Sequence, residues 1–292
     1  SIFGVIVPDK KAQITFSLPE VMSAIHQGKI VALPTDTVYG FVLSLYASEA
    51  EERLYALKDR EPSKAFALYV NSIEDIENIS GYPLSPTAKK LAQLFPGAIT
   101  LVVKHRNPRF PKETLAFRIV DHSVVREIVD HCGTLIGTSA NLSEFPSALT
   151  AQEIFADFAD HDLCIFDGPC SHGLESTVVA SDPLYIYREG LISRSVIENI
   201  AGTEAKIFHR TSHAFSKHIK IYTVKNQEQL VSFLSGSLDF KGVVCEHPKP
   251  KNFYTRLREA LKKKTPSIVF IYDINTSDYP ELFPFLSPYY IE

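Results

Sequence analysis

Up to residue 200, short β-branched runs alternate with amphipathic stretches. Hydrophobic periods of two and of about 3.6 residues taking turns along one chain leave little choice but a mixed α/β domain built around a sheet. The apolar runs predict strands at 29–34, 38–45, 66–70, 99–104, 115–118, 134–138, 176–179 and 185–188. Helix starts are marked by side-chain chemistry. Ser48 with Glu51, and Thr150 with Glu153, have capping-box spacing, in which each side chain satisfies an orphan backbone donor of the first turn. Ser85-Pro86 supplies a cap residue followed by proline at the first helical position. With 45% apolar residues in 292, one large core or two smaller ones can be filled.

Between 203 and 218 the periodicity gives way to Lys, Arg, His, Ser and Thr, which reads as a linker rather than an element. A smaller α/β unit follows over 219–292, with strands expected at 219–224, 242–245 and 267–272 and helices at 227–234 and 253–261. It is small for an independent core and is expected to lean on the domain at 1–202. Charge divides along the same lines: residues 1–204 hold 17 basic and 26 acidic side chains, whereas 205–265 hold 13 and 4. A basic segment beside an acidic body fits an anionic partner, a docking surface within the chain, or a solvated face.

Apolar stretches such as 30–34 and 268–272 are about five residues long against the roughly 20 that a membrane helix needs, so no membrane span is expected. The first 30 residues lack a charged start, an apolar core and a small-residue cleavage site, so no secretory signal is expected, and Ser1 in place of Met suggests a trimmed start. Cys132, Cys164, Cys170 and Cys245 form no Cys-x-x-Cys pair; ordinary packing roles in a reducing cytoplasm are expected. His209, His213 and His218 read as solvated linker rather than metal ligands.

The chain contains no Gly-x-Gly and no Gly-x-x-x-x-Gly-Lys, which removes Rossmann and Walker phosphate loops. Instead, short polar strings sit where strands end. Pro34-Thr35-Asp36-Thr37-Val38-Tyr39-Gly40 places hydroxyls and free backbone donors at a sheet edge between two apolar strands. In Lys58-Asp59-Arg60-Glu61-Pro62-Ser63-Lys64, the residues Lys58 and Arg60 would point to one side of an extended chain and grip polyphosphate oxygens. Arg118 lies inside an apolar strand, which implies either an internal ion pair or a bound anion. Gly137-Thr138-Ser139-Ala140-Asn141 lacks the second glycine of a hydrolase elbow, so Ser139 reads as a binding hydroxyl rather than a nucleophile. Glu175-Ser176-Thr177 and Arg188-Glu189-Gly190 add a hydroxyl pair and another arginine at strand ends. Convergence of these strings on one anion-binding pocket is an expectation that only the fold can test.

In this order, with Phe95-Pro96-Gly97-Ala98-Ile99-Thr100-Leu101 between them, the strings resemble the YrdC family of L-threonylcarbamoyladenylate synthases over residues 14–200, and the rest of the chain resembles the two-domain form with a shortened second domain. The resemblance implies a YrdC-like twisted mixed sheet with helices around a large basic cavity, followed by a small Rossmann-like α/β domain. It implies synthesis of the adenylate from L-threonine, bicarbonate and Mg²⁺-ATP with release of pyrophosphate, the first step of N6-threonylcarbamoyl modification of tRNA adenosine, and a downstream tRNA threonylcarbamoyl transferase as partner. Carried over by motif, Thr37, Tyr69, Arg118, Gly137 and Ser176 would hold threonine. Lys58, Arg60, Lys64, Thr114, Ser139, Asn141, Ser147 and Arg188 would hold ATP, with Lys58 and Arg60 catalytic and Mg²⁺ held through the phosphates. Three places depart from the family pattern: Lys64-Ala65-Phe66, Tyr69 where His is frequent, and His213-Ala214-Phe215-Ser216-Lys217 in the linker. The alternative is an RNA-binding module of the same fold without synthase activity, which the basic segment favours and the acidic first domain opposes.

Overall fold

A computed structural model describes residues 11–59, 66–208, 212–237, 240–264 and 266–292. Its strands are β1 (Gln13–Thr15), β2 (Val31–Leu33), β3 (Gly40–Ser44), β4 (Ala67–Tyr69), β5 (Ile99–Lys104), β6 (Thr114–Arg118), β7 (Leu135–Ser139), β8 (Cys164–Phe166), β9 (Thr177–Ser181), β10 (Leu184–Arg188), β11 (Lys206–Ile207), β12 (Lys220–Val224), β13 (Val243–Cys245) and β14 (Ser267–Ile271). The first eleven form one mixed sheet in the order β1-β8-β2-β3-β7-β4-β6-β5-β9-β10-β11, and the last three a parallel sheet in the order β12-β14-β13. The expected mixed α/β class is therefore present, with the polar strings at the ends of its central strands.

Alternation along the strands divides the core as a period of two requires. On β3, Phe41 and Leu43 join the larger apolar cluster with Leu54, Phe117 and Phe158, while Val42 faces a second cluster with Val21, Ile25, Val125 and Ile128 from the helices Leu18–His26 and Ser123–Cys132. The smaller unit buries Phe253, Leu257, Ile268 and Phe285 in a cluster that also takes in Val38 and Leu174 from the larger part of the chain, as its size demanded. Gly173 permits this contact. Its φ is +84°, and a Cβ there would meet the Pro250 carbonyl oxygen at 2.8 Å.

Thr150 and Ser85 cap their helices, accepting from Glu153 N and Ala88 N, but only half of the expected Thr150 capping box is present, since Glu153 Oε1 meets the Thr150 hydroxyl at 3.2 Å instead of its backbone N–H. Ser48 does not cap its helix. The helix begins at Ala50, and Glu49 before it has a φ of 53° with no side-chain cap, so the turn sets Ser48 outside the helix entrance. The segment expected to be pure linker also contains structure. Two-residue β11 pairs in parallel with β10, and Ala214–Lys217 forms a 3-10 turn; neither is long enough to show a period in sequence. Strands β1 and β8, three residues each and paired in parallel, were hidden for the same reason. His213 and His218 are not solvated linker: the His213 ring is stacked on Phe215 and on Phe285, and His218 stacks on Phe145 at 4.0 Å between centroids. His209 lies outside the described residues.

The candidate functional site

Pairing across the middle of the large sheet brings the polar strings together. Gly40 lies opposite Ser139 across β3 and β7, Ala67 opposite Gly137 across β4 and β7, Tyr69 opposite Arg118 across β4 and β6, and Ile99 opposite Thr177 across β5 and β9. The result is a cavity of about 340 Å³ whose wall includes Thr37, Tyr69, Thr114, Arg118, Gly137, Ser139, Ser176 and Arg188. Thus all five residues expected to hold threonine and three of those expected to hold ATP share one concave surface.

The turn between β2 and β3 forms the deep end. Thr35 accepts from Thr37 N at 3.0 Å through its hydroxyl and donates to Val38 O at 2.6 Å, fixing the turn internally. Asp36 and Thr37 also tie down the chain before β9, since their carbonyls accept from His172 N and Gly173 N. Of the two alternatives left open for Arg118, the ion pair is present. Its Nη2 donates to Asp36 Oδ1 at 2.7 Å and to Gly97 O at 3.0 Å, and its Nη1 donates to Thr37 Oγ1 at 3.3 Å. Tyr69 packs its ring flat over Gly137, where a Cβ would stand 2.8 Å from the ring carbon Cζ, so only glycine admits the aromatic floor. Burial raises the Tyr69 phenol above its ordinary value, while the nearby Arg118 charge acts in the opposite sense. Tyr69 is therefore a neutral hydroxyl at neutral pH, able to donate as well as accept.

At the other end, Arg188 wraps the start of β9. Its Nε and Nη2 donate to Ser176 O at 3.0 and 2.9 Å, Nη2 reaches Ser176 Oγ at 3.2 Å, and Nη1 lies 3.5 Å from Glu175 Oε2. The Ser176 hydroxyl is shared with Thr100 at 2.7 Å. Ser147 does not reach the cavity wall: it is buried and donates to Glu175 Oε1 at 2.8 Å. Glu175 and Arg188 also line a second cavity of about 380 Å³ beneath the linker, with Asn141, Phe145, His213, Phe215 and Phe285 on its wall. The two cavities therefore meet at that ion pair.

Lys58 departs from the expectation of an extended Lys-x-Arg. It is the last residue of the helix Ala50–Lys58, buried, with Asp59 at a φ of 52° closing the helix behind it. A cation is favourable at a helix C-terminus, and here the ammonium turns to the end of β7. Its Nζ donates to Ser139 O, to Asn141 Oδ1 at 3.0 Å and toward Ser139 Oγ at 3.4 Å. Asn141 in turn spends its amide on Leu142 O and Phe145 O, both at 2.8 Å, so it shapes the loop as much as it offers itself to a ligand. Arg60 and Lys64 lie outside the described residues.

Sequence reasoning passed over two carboxylates, Asp36 and Glu175. The signal for Asp36 was present, because an arginine inside a buried strand requires a counter-charge and the Thr-Asp-Thr string holds one between buried strands. Glu175 gave only its place beside Ser176. The basic segment also finds partners inside the molecule. Arg258, on the helix Pro250–Leu261, pairs with Glu153 and with Asp157 at 2.7 Å, and Lys217 pairs with Glu144. Of the three explanations for the charge division, a docking surface within the chain is the one these contacts carry.

Comparison with known proteins gives relatives in both sequence and fold. The chain is 31% identical to threonylcarbamoyl-AMP synthase of Bacillus subtilis over 66% of its length, and 31% identical to that of Pyrococcus abyssi over 61%. It spans 60% and 55% of the length of those two relatives. The solved structure of Pyrococcus abyssi Sua5 complexed with L-threonine superposes with a TM-score of 0.79 at 20% identity, covering 96% of this chain and 98% of that one, a likeness of fold. The Sua5/yciO/yrdC family model, described as telomere recombination, matches residues 23–190. More than half of the chain falls within that match, and this protein belongs to the Sua5/yciO/yrdC family.

Proposed function

We propose that this chain makes L-threonylcarbamoyladenylate from L-threonine, bicarbonate and Mg²⁺-ATP, releasing pyrophosphate and water. The observation that carries the reading is convergence: hydroxyls, two guanidiniums and an aromatic floor, read from separate strings of sequence, line one cavity. The curated relatives named threonylcarbamoyl-AMP synthase give the same direction.

In this reading threonine lies at the deep end, its carboxylate toward Arg118 and its hydroxyl among Thr37, Tyr69 and Ser176. Its amine is carboxylated by bicarbonate, and the carbamate oxygen attacks the α-phosphorus of ATP as pyrophosphate leaves. No covalent intermediate on the protein is needed. Catalysis is by placement and charge: the cavity aligns carbamate and α-phosphorus, and fixed donors face the charge that develops on the phosphates. Lys58 acts from behind Ser139 and Asn141, holding the end of β7 in place and supplying positive potential from a buried position where it is weakly screened. Arg60 and Lys64 are proposed phosphate ligands on the same string, Thr114 and Arg188 complete the ATP set on the cavity wall, and Ser147 orients Glu175. Magnesium enters with ATP as substrate. The product would pass to a tRNA threonylcarbamoyl transferase, and the four free thiols suit a reducing compartment.

The RNA-binding alternative draws less support, because Lys217 and Arg258 of the basic segment are already paired with carboxylates of the larger part of the chain. The test is to mix the protein with L-threonine, bicarbonate and Mg²⁺-ATP and follow pyrophosphate, with mass spectrometry for the adenylate. Release that requires both threonine and bicarbonate is the expected result; ATP binding without any such release would refute the proposal.

A further inference from the structure

Behind Arg118, which lines the deep end of the cavity, lies a carboxylate to which the proposed reaction assigns no part. Asp36 and Arg118 lie 2.7 Å apart with side chains only 2% and 6% exposed, and each keeps one buried atom without a hydrogen-bond partner, Asp36 Oδ2 and Arg118 Nε. Buried polar atoms are ordinarily paired, so this corner has capacity left for one donor and one acceptor. The other guanidinium of the wall, Arg188, faces Glu175. Among the described residues, each arginine lining the cavity therefore carries a carboxylate beside it.

That pairing alters what Arg118 attracts. A lone anion placed on an isolated buried guanidinium gains from an almost unscreened charge. Here it also meets Asp36, one hydrogen bond further on, and repulsion cancels much of the attraction. A zwitterion escapes the cancellation, because its ammonium offsets the Asp36 charge while its carboxylate faces Arg118.

We propose that Asp36, acting through Arg118, makes this end of the cavity select zwitterionic α-amino acids and reject simple carboxylates of the same shape. Asp36 is a specificity-determining and positioning residue in this assignment, and the assignment rests on the synthase reading above.

The test is calorimetric binding to the full chain of L-threonine, of (R)-3-hydroxybutanoate, which is threonine without its amine, and of the neutral (R)-3-hydroxybutanamide. In the unaltered protein, hydroxybutanoate and its amide are expected to bind within about fivefold of each other, because the paired guanidinium gives an anion little advantage. Asp36→Asn frees the Arg118 charge while keeping the shape, and the anion should then gain at least about tenfold on the amide. An unaltered protein that prefers the anion by more than about fivefold, or a folded Asp36→Asn variant that leaves the ratio unchanged, would overturn the inference while leaving the synthase reading intact. If Asp36→Asn does not fold, the anion-to-amide ratio in the unaltered protein decides alone. Failure of L-threonine itself to bind would remove the synthase reading and this inference with it.

Discussion

The two arginines of the cavity are built differently. Arg118 ends a central strand, with its side chain 6% exposed and its partner at 2.7 Å, whereas Arg188 ends a strand toward the edge of the sheet, with 31% exposure and its partner at 3.5 Å. Arg118 finds its hydrogen-bond partners at two places distant in the chain, Asp36-Thr37 and Gly97; Arg188 finds its own at the neighbouring strand start, Ser176. In the proposed reaction this difference gives a rigid end for threonine and an adaptable end for the phosphates. A buried pair fed by several elements has one arrangement, and a half-exposed arginine on a local anchor keeps freedom to follow a ligand.

Breaking the deep pair should have the largest effect. Asp36→Ala leaves Arg118 buried without its counter-charge and is expected to cost about 3–5 kcal/mol, read as a lower denaturation midpoint. Replacing both members with apolar residues of similar volume, Asp36→Leu with Arg118→Met, should recover most of that loss, which would show that the pair serves recognition rather than stability. Next in size is Lys58→Ala. Removing one preorganised charge commonly costs about 3 kcal/mol of transition-state stabilisation, so turnover should fall at least about 100-fold, and Arg60→Ala should behave alike. Turnover equal to the unaltered protein in either variant would take that residue out of the mechanism.

Gly137→Ala sharpens the comparison at the aromatic floor. The added methyl would stand 2.8 Å from the Tyr69 ring, and overpacking of this kind costs about 1–3 kcal/mol. A raised KM for threonine with the KM for ATP little changed is the expected signature in steady-state kinetics. Smallest is Glu175→Gln at the outer pair. Its partial exposure and 3.5 Å separation limit the stability cost to about 1 kcal/mol or less. The expected change is in ATP affinity, measured by titration, since Glu175 positions both Arg188 and Ser147.

The comparison also explains which parts of the site were legible before the fold was known. Arg118 announced itself, because a charge in an apolar strand is a conflict that needs an answer nearby. Thr37, Ser139 and Ser176 were visible as hydroxyls at strand ends. Glu175 was not, since a lone acidic residue beside a strand start is ordinary surface chemistry until something is packed over it. The Lys58 geometry was misread because the helix Ala50–Lys58 carries its last turn through Lys58, where an extended strand-like path was expected. Local signals also failed at Ser48, where the capping-box spacing is present but the left-handed turn at Glu49 displaces it.

Sequence alone determined the α/β class, the absence of glycine-rich phosphate loops and the set of polar strings at strand ends, because each of these is written in periodicity or in the chemistry of adjacent residues. Tertiary structure alone decided that β7 enters between β3 and β4, and β9 beside β5, and so which strings face one another. It also decided that Asp36 answers Arg118 across 82 positions and that the basic helix Pro250–Leu261 docks on Glu153 and Asp157. Strand order and long-range pairing are settled by how a whole set of apolar faces can be buried at once, and no single stretch of sequence contains that information.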